Sequence, residues 1–353
     1  MTGSEATSGS GVLGQYNRLV MRRLGIVVAL GVMCLAAFLL DVVTGPSGLP
    51  AGRIFQGVFD PASLSPSEYA IIWQVRLPYA VMALLVGAAL ALAGAEMQTV
   101  LNNPLASPFT LGVSSAASFG ASLAIVLNLS LPFIAGDWLI SFNAFVFAFG
   151  SVLLLQALSR LRGSGMETLV LFGIALVFAF NALTALVQFV SSQEALQQLV
   201  FWTMGSLSRA TWENVAILAV VLAIVTPFSM LSARSLTALR LGEDRARSFG
   251  VHVDRLRMLS LLRVSLLSAT AVAFVGAIGF IGLVGPHISR LLVGEDHRFH
   301  LPASILSGAL IMALASAASK ALVPGVLMPV GIVTAMVGVP AFLVLIFRSG
   351  RAT

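Results

Sequence analysis

Apolar stretches, most of them about twenty residues long, recur ten times along this chain, and no other feature narrows its fold so far. They lie near 24–43, 77–97, 111–129, 139–158, 169–190, 215–230, 259–278, 286–293, 305–321 and 331–347. About twenty helical residues cross ~30 Å of hydrocarbon. Backbone groups in lipid must be satisfied within the protein, which restricts such segments to helices unless a closed barrel forms. The sequence therefore predicts an all-α, polytopic membrane protein with about ten transmembrane helices. The eighth stretch is too short to cross. The run Gly276–Pro286 that leads into it is punctuated by glycines and ends in Gly-Pro. Irregular backbone at that depth must be buried in the bundle or border a pathway.

Composition excludes the soluble alternatives. Of 353 residues, 58% are hydrophobic and 10% charged, against roughly 25% charged in soluble domains. The net charge of +6 would suggest nucleic acid in a soluble chain. In this chain it marks orientation instead. With the N-terminus inside, sixteen arginines fall on the cytoplasmic side, while Arg53, Arg76, Arg209 and Lys320 fall outside. That asymmetry places both termini in the cytoplasm. Residues 1–17, rich in Gly, Ser and Thr, predict a disordered cytoplasmic tail ahead of one transmembrane domain over 18–353. Arg22-Arg23 precedes an apolar run long enough to span, so an uncleaved first helix is the better reading than a signal peptide.

Absences bound the chemistry. Lys320 is the sole lysine and lies in an apolar segment, so no phosphate-binding Gly-x-x-x-x-Gly-Lys loop exists. Any ATPase must be another chain. Cys34 is the sole cysteine, follows Val32-Met33 rather than a lipid-attachment pattern, and reads as a lipid-facing or packed thiol. Among the four histidines, His297 and His300 read as a solvated loop pair and His287 as a structural residue at a helix start. No metal site is expected.

The longest cytoplasmic stretch between spans, 232–258, is highly charged. Within it, Gly242–Gly250 reads as a short helix: Glu243 and Asp244 suit the first turn, where the helix dipole favours anions, and Gly250 suits a left-handed C-terminal cap. Such a helix is either a solvated connector or a rigid knob for a cytosolic partner, and its sharp definition favours the knob.

Leu241-Gly-Glu-Asp-Arg-Ala-Arg-Ser-Phe-Gly-Val251 resembles the coupling segment of permease subunits in the iron-siderophore, cobalamin and haem ABC importer family. Three further stretches, in order from Arg76 to the C-terminus, are similar to the pattern of that family. They are Arg76-Leu-Pro through Val86-Gly-Ala to Asn103-Pro-Leu-Ala-Ser-Pro-Phe-Thr-Leu-Gly-Val113; Gly279-Phe-Ile-Gly-Leu with Pro286-His287, Arg290 and Asp296-His-Arg298; and Pro329-Val-Gly-Ile-Val-Thr-Ala335 with Gly338 and Pro340.

The resemblance implies two inverted halves, spans two to five and seven to ten, of which Val86-Gly-Ala and Val275-Gly-Ala are a faint echo. It implies a transport subunit rather than an enzyme, in a bacterial inner membrane. The partners would be a second permease copy or paralogue, two cytosolic ATPase subunits carrying ATP and Mg²⁺, and a substrate-binding protein. This chain itself would bind no cofactor and no nucleic acid. Gly242, Glu243, Asp244, Arg245, Arg247 and Gly250 would couple to the ATPase. Arg76 and Lys320 would dock the binding protein, or serve as interfacial anchors. Tyr79, Ser316 and Leu327 depart from the pattern of that family on this face. On span five, Asn181, Thr184 and Gln188 share one helical face and either line the pathway or bond a neighbouring helix. The turn holding Gly163, Ser164 and Gly165 would form an inner gate. The cargo would be a ferric-siderophore-type chelate, with haem and cobalamin as alternatives. A proton-coupled transporter would need an intramembrane acid, for which Asp41 and Glu96 are the candidates.

Overall fold

A computed structural model describes residues 5–127, 137–161, 166–323 and 325–349. Every expected span has a helix. We label them α1 (Glu5–Val43), α2 (Leu77–Val100), α3 (Val113–Val126), α4 (Asp137–Leu161), α5 (Met166–Phe189), α6 (Trp212–Leu231), α7 (Val253–Val275), α8 (Ile281–Val293), α9 (His297–Ala321) and α10 (Val330–Ser349). Shorter helices between them are named by their residues. No strand occurs among the described residues. Helix α1 begins inside the stretch expected to be a tail, and its membrane-length portion is Gly14–Val43.

Helix α2 is the axis of the bundle. Its span is 83% buried, against 22% for the spans of α5 and α6. A helix apolar on every side belongs in a core, and small residues decide what can approach it. A β-carbon on Gly87 would lie 2.3 Å from the Gly308 carbonyl oxygen of α9, and one on Gly94 would lie 1.8 Å from the Gly282 oxygen of α8. Backbones thus meet directly on two sides of α2.

The halves are arranged as inverted repeats. Helix α4 of the first half packs on α7 of the second, as α9 of the second packs on α2 of the first. Within each half, α3 packs on α4 as α8 packs on α9. The Val-Gly-Ala echo is not part of this symmetry: Gly87 lies within α2, whereas Gly276 ends α7 at φ +78°.

Two sequence expectations are corrected. Irregular backbone is confined to 276–280, and α8 starts at Ile281, so Pro286 and His287 lie inside the helix rather than at its start. Proline has no N–H for the carbonyl four residues back. The Gly282 carbonyl so released accepts a hydrogen bond from Gln98 Nε2 of α2 at 3.4 Å. His297 and His300 are not a solvated pair. Each is 1% exposed in the first turn of α9. His297 bonds Thr99 and Thr237 through its two ring nitrogens, and His300 Nδ1 bonds Ser289. Cys34 is also packed, donating to the Leu306 carbonyl at 3.0 Å and pinning α1 to α9.

Candidate functional site

The short helix Glu243–Ser248 forms as its residues predict. Gly242 enters it at φ +104° and Gly250 leaves it at φ +81°; a β-carbon would meet nothing within 4 Å at either, so backbone conformation alone calls for glycine. Val251 N–H bonds the Ala246 carbonyl at 3.0 Å and Gly250 N–H bonds the Arg247 carbonyl at 2.9 Å. That bond pair is the left-handed cap of a Schellman motif.

One face of this helix is fastened. Ala246 is fully buried. Glu243 turns toward α7, where Arg257 pairs with it at 2.5 Å, while Arg247 approaches the same carboxylate at 3.5 Å. Arg257 also donates to the Val100 carbonyl at the end of α2. The opposite face is open: Asp244, Arg245 and Arg247 are exposed. Leu241 and Phe249 are 54% and 65% exposed beside them. These two exposed apolar side chains were not singled out from the sequence. Their signal lay in the sequence, since apolar residues flanking a charged helix have no reason to be in water.

A second cluster braces the approach to the knob. Arg240 pairs with Glu295 and donates to Asn102 Oδ1 at 3.0 Å, while Arg290 lies 3.4 Å from Glu295 and donates to Gln98 at 3.1 Å. The guanidinium of Arg240 holds the Glu295 carboxyl below the usual carboxylate range, against the opposing effect of burial. Asp296 is lowered chiefly by its hydrogen bond from Arg298. It also caps α9 by accepting from the Arg298 N–H. Deeper in the bundle, the buried Glu96 of α2 and the partly buried Arg263 of α7 pair at 2.6 Å, joining the first helices of the two halves.

At the other end, which the charge asymmetry assigns to the outside, Arg76 and Lys320 both turn inward. Residues Ala70–Arg76 form a π-helical turn that runs into Pro78. Arg76 emerges from it to donate to the Val42 and Val43 carbonyls at 3.0 and 2.7 Å and to Ser47 at 2.6 Å, capping the C-terminus of α1. Lys320 lies 2.7 Å from Asp41, whose carboxylate also accepts from Ser316 at 2.7 and 2.8 Å. The Tyr79 ring lies 4.8 Å below the ammonium. Asp41 thus supplies, from α1, the carboxylate that both Lys320 and Ser316 of α9 contact. Arg76 is 5% exposed and Lys320 7%, so neither projects to the surface of the subunit.

The outer end is further held by glycine-permitted backbone crossings. Ser206 N–H bonds the Val275 carbonyl at 2.7 Å, and Gly331 N–H bonds the Gly205 carbonyl at 3.1 Å. A β-carbon on Gly276 or Gly331 would strike the Trp202 or Met204 carbonyl.

The polar residues of α5 differ in exposure. Asn181 is exposed, Gln188 half-buried, and Thr184 buried and bonded to its own helix at the Phe180 carbonyl. The expected gate residues, Gly163, Ser164 and Gly165, lie outside the described residues. Among the described residues no cluster of His, Cys, Asp and Glu has the makings of a metal site.

Comparison with known proteins adds the family. Residues 33–348 match the FecCD transport family. The chain is 37% identical to the hemin transport system permease of Yersinia pestis, covering 78% of this chain and 83% of that one. It is 35% identical to the vitamin B12 import system permease of Escherichia coli O139:H28, covering 92% and 95%. It is 34% identical to the molybdate import system permease of Haemophilus influenzae, covering 85% and 88%. A solved structure described as an inward-facing, metal-chelate type ABC transporter superposes with TM-score 0.80 at 32% identity, covering 92% of this chain and 99% of that one. The relatives are transport subunits, not enzymes, and ATP hydrolysis resides on separate subunits. With ten long helices among the described residues, eight of them in two inverted halves, and a match over nearly its whole length, this multipass membrane chain belongs to the FecCD transport family as the permease subunit of an ABC importer.

Proposed function

We propose that this permease moves a ferric-siderophore-type chelate into the cytoplasm by alternating access, driven by two cytosolic ATPase subunits that engage the Glu243–Ser248 helix. One observation carries the coupling half of this reading: the helix is fastened on one face by Glu243–Arg257 and left open on the other at Asp244, Arg245 and Phe249. Glu243 then acts as a positioning residue, and the exposed side chains meet the ATPase. A motion of the partner would pass through Arg257 to α7 and to the end of α2. The same reading puts both termini in the cytoplasm, pairs this subunit with a second copy or paralogue, and has a binding protein deliver the cargo. With Arg76 and Lys320 buried, that protein would meet other groups of the outer end.

A proton-coupled transporter is disfavoured because Asp41 and Glu96, its candidate acids, are each paired with a cation, Lys320 at 2.7 Å and Arg263 at 2.6 Å. Uptake of labelled ferric siderophore, haem and cobalamin should be compared in cells lacking this gene and in the same cells with the gene returned, with and without the ATPase subunit. Restored uptake of the ferric chelate alone, strictly ATPase-dependent, is the expected result. Restoration by haem or cobalamin reassigns the cargo, and uptake without the ATPase ends the importer reading. Arg245→Glu should keep the protein at its normal level while uncoupling ATP hydrolysis from uptake.

A further inference from the structure

Two cavities of opposite chemistry share a wall at the outer end. One, of about 540 Å³, is lined by Arg209, Glu213, Asn214, Gln74, Trp138 and Trp202 among others. The second, of about 260 Å³, is an apolar slot bounded by Phe142 and Phe145 of α4, Ile217 and Val221 of α6, and Leu266 of α7. Trp138, Ser141 and Phe274 border both, with the Trp138 and Phe274 rings edge-on at 6.2 Å. Helices α4 and α6 each lean on α7 and leave the slot between them. Its sides, Phe142 at 44% and Ile217 at 39% exposed, face outward from the bundle.

The depth is marked by tryptophan. Trp138 opens α4, Trp202 lies at the end of Gln193–Thr203, and Trp212 opens α6 and donates to the Trp73 carbonyl at 2.7 Å. All four tryptophans of the chain therefore gather at one end. Tryptophan collects where lipid headgroups meet acyl chains. The polar chamber lies at headgroup level, and the slot leads from it toward the hydrocarbon.

We propose that the joined cavities hold one zwitterionic phospholipid, a phosphatidylethanolamine of the surrounding bilayer. Its phosphate meets Arg209, its ammonium meets Glu213, and one acyl chain lies in the slot. Charge complementarity selects this occupant. Arg209 presents a planar guanidinium suited to phosphate, set over the Trp202 ring at 5.7 Å. Its position depends on Gly276, where a β-carbon would come within 3.2 Å of the guanidinium. Glu213, four residues on, is exposed in the first turn of α6 and supplies the opposite charge. An anionic headgroup would be attracted by Arg209 but repelled by Glu213. A free phosphate would leave the slot empty. The chamber falls within the ~300–1,000 Å³ of small-molecule sites. A chain seated there would fill the gap between α4 of the first half and α6, the helix that links the halves.

The test uses the full-length protein in nanodiscs of equal parts phosphatidylethanolamine and phosphatidylglycerol, transferred to mild detergent, with retained lipid counted by native mass spectrometry. The wild type should keep one phosphatidylethanolamine per chain in clear preference to phosphatidylglycerol. Arg209→Gln should lower retention about tenfold, the loss of one charge-assisted contact. Glu213→Gln should keep lipid but lose the preference, and Ile217→Trp should block the slot and lower retention of both lipids. Arg53→Gln, at an outer-end arginine paired with Glu68 away from the chamber, should retain lipid as the wild type does. Both Glu213 and Ile217 are exposed, so those two variants decide the matter even if Arg209→Gln does not fold. Retention of the two lipids in their bilayer ratio by the wild type, or unchanged retention in Ile217→Trp, overturns the proposal. So does displacement of the lipid by an equal concentration of glycerophosphoethanolamine, since a headgroup alone would then suffice.

Discussion

The two ends of this bundle use the same charged residue types to opposite effect. At the outer end Arg76, Lys320 and Asp41 are all buried, and each is spent on a helix end or on its neighbour. At the opposite end the buried cation, Arg257, holds the Glu243–Ser248 helix in place, while Asp244 and Arg245 remain in water. Taking charges out of water costs several kcal/mol per ion unless geometry and hydrogen bonding compensate. The outer trio meets that condition, with Ser316, Tyr79 and the end of α1 completing the set. Exposed charges on a short helix contribute little to the stability of their own chain. Charge at the Arg76–Lys320 end is therefore architectural, whereas charge on the Glu243–Ser248 helix stays in water.

The largest expected effect breaks the outer side of this contrast. Asp41→Asn strands Lys320 in the interior and should destabilise the protein by about 3–5 kcal/mol, read as thermal unfolding in detergent. Pairing it with Lys320→Met should recover much of the loss, because no unpaired charge then remains. If the double variant is as unstable as the single one, the pair is not what joins α1 to α9.

Next comes the axis that connects the ends. Gly94→Ala drives a methyl into the Gly282 carbonyl, and overpacking of this kind costs about 1–3 kcal/mol or more. Because Gln98 bonds the same carbonyl, the substitution should also impair uptake at normal expression, as measured by cargo flux per molecule in membranes.

Gly250→Ala forces a left-handed residue with a β-carbon and should cost the cap about 1–2 kcal/mol. Open space around it means that no other packing changes. Global unfolding should move little, whereas ATPase stimulation by cargo should fall. Glu243→Gln should reduce the same stimulation by releasing Arg257, and Gly250→Asn should be milder than Gly250→Ala.

The smallest effect is one of pH. The Glu295 carboxyl is held below its ordinary value of 4.5 by Arg240, so its ionised form favours the folded state. Its contribution is complete above that ordinary value and is lost as pH falls below it toward the lowered one. The difference in melting temperature between wild type and Glu295→Gln should be flat from neutral pH to about 5 and shrink only at lower pH.

Much of the fold was legible because lipid makes helix formation a local matter. The positions of the ten helices and the Gly250 cap follow from short windows of sequence, and the structure has each of them. The inward turn of Arg76 and Lys320 was not legible. Lys320 meets Asp41 across 279 residues of chain, and nothing near either residue announces the other. His297 and His300 looked solvated because Asp296 and Arg298 surround them in sequence, yet the charged pair points outward while α2 and α8 cover the rings. Helix α8 was cut short because glycine and proline read as breakers. Gln98, from another helix, satisfies the carbonyl that Pro286 leaves open.

By itself the sequence determined that this chain lies in a membrane, how many helices it forms, which end carries the basic excess and where the exposed knob begins and ends. Those are consequences of composition and of backbone hydrogen bonds closed within a few residues. Only the tertiary structure decided which charges are paired, which glycines carry backbone contacts, and which face of the knob is free. Each of these depends on a partner distant in the chain, and its free energy exists only once the helices have packed.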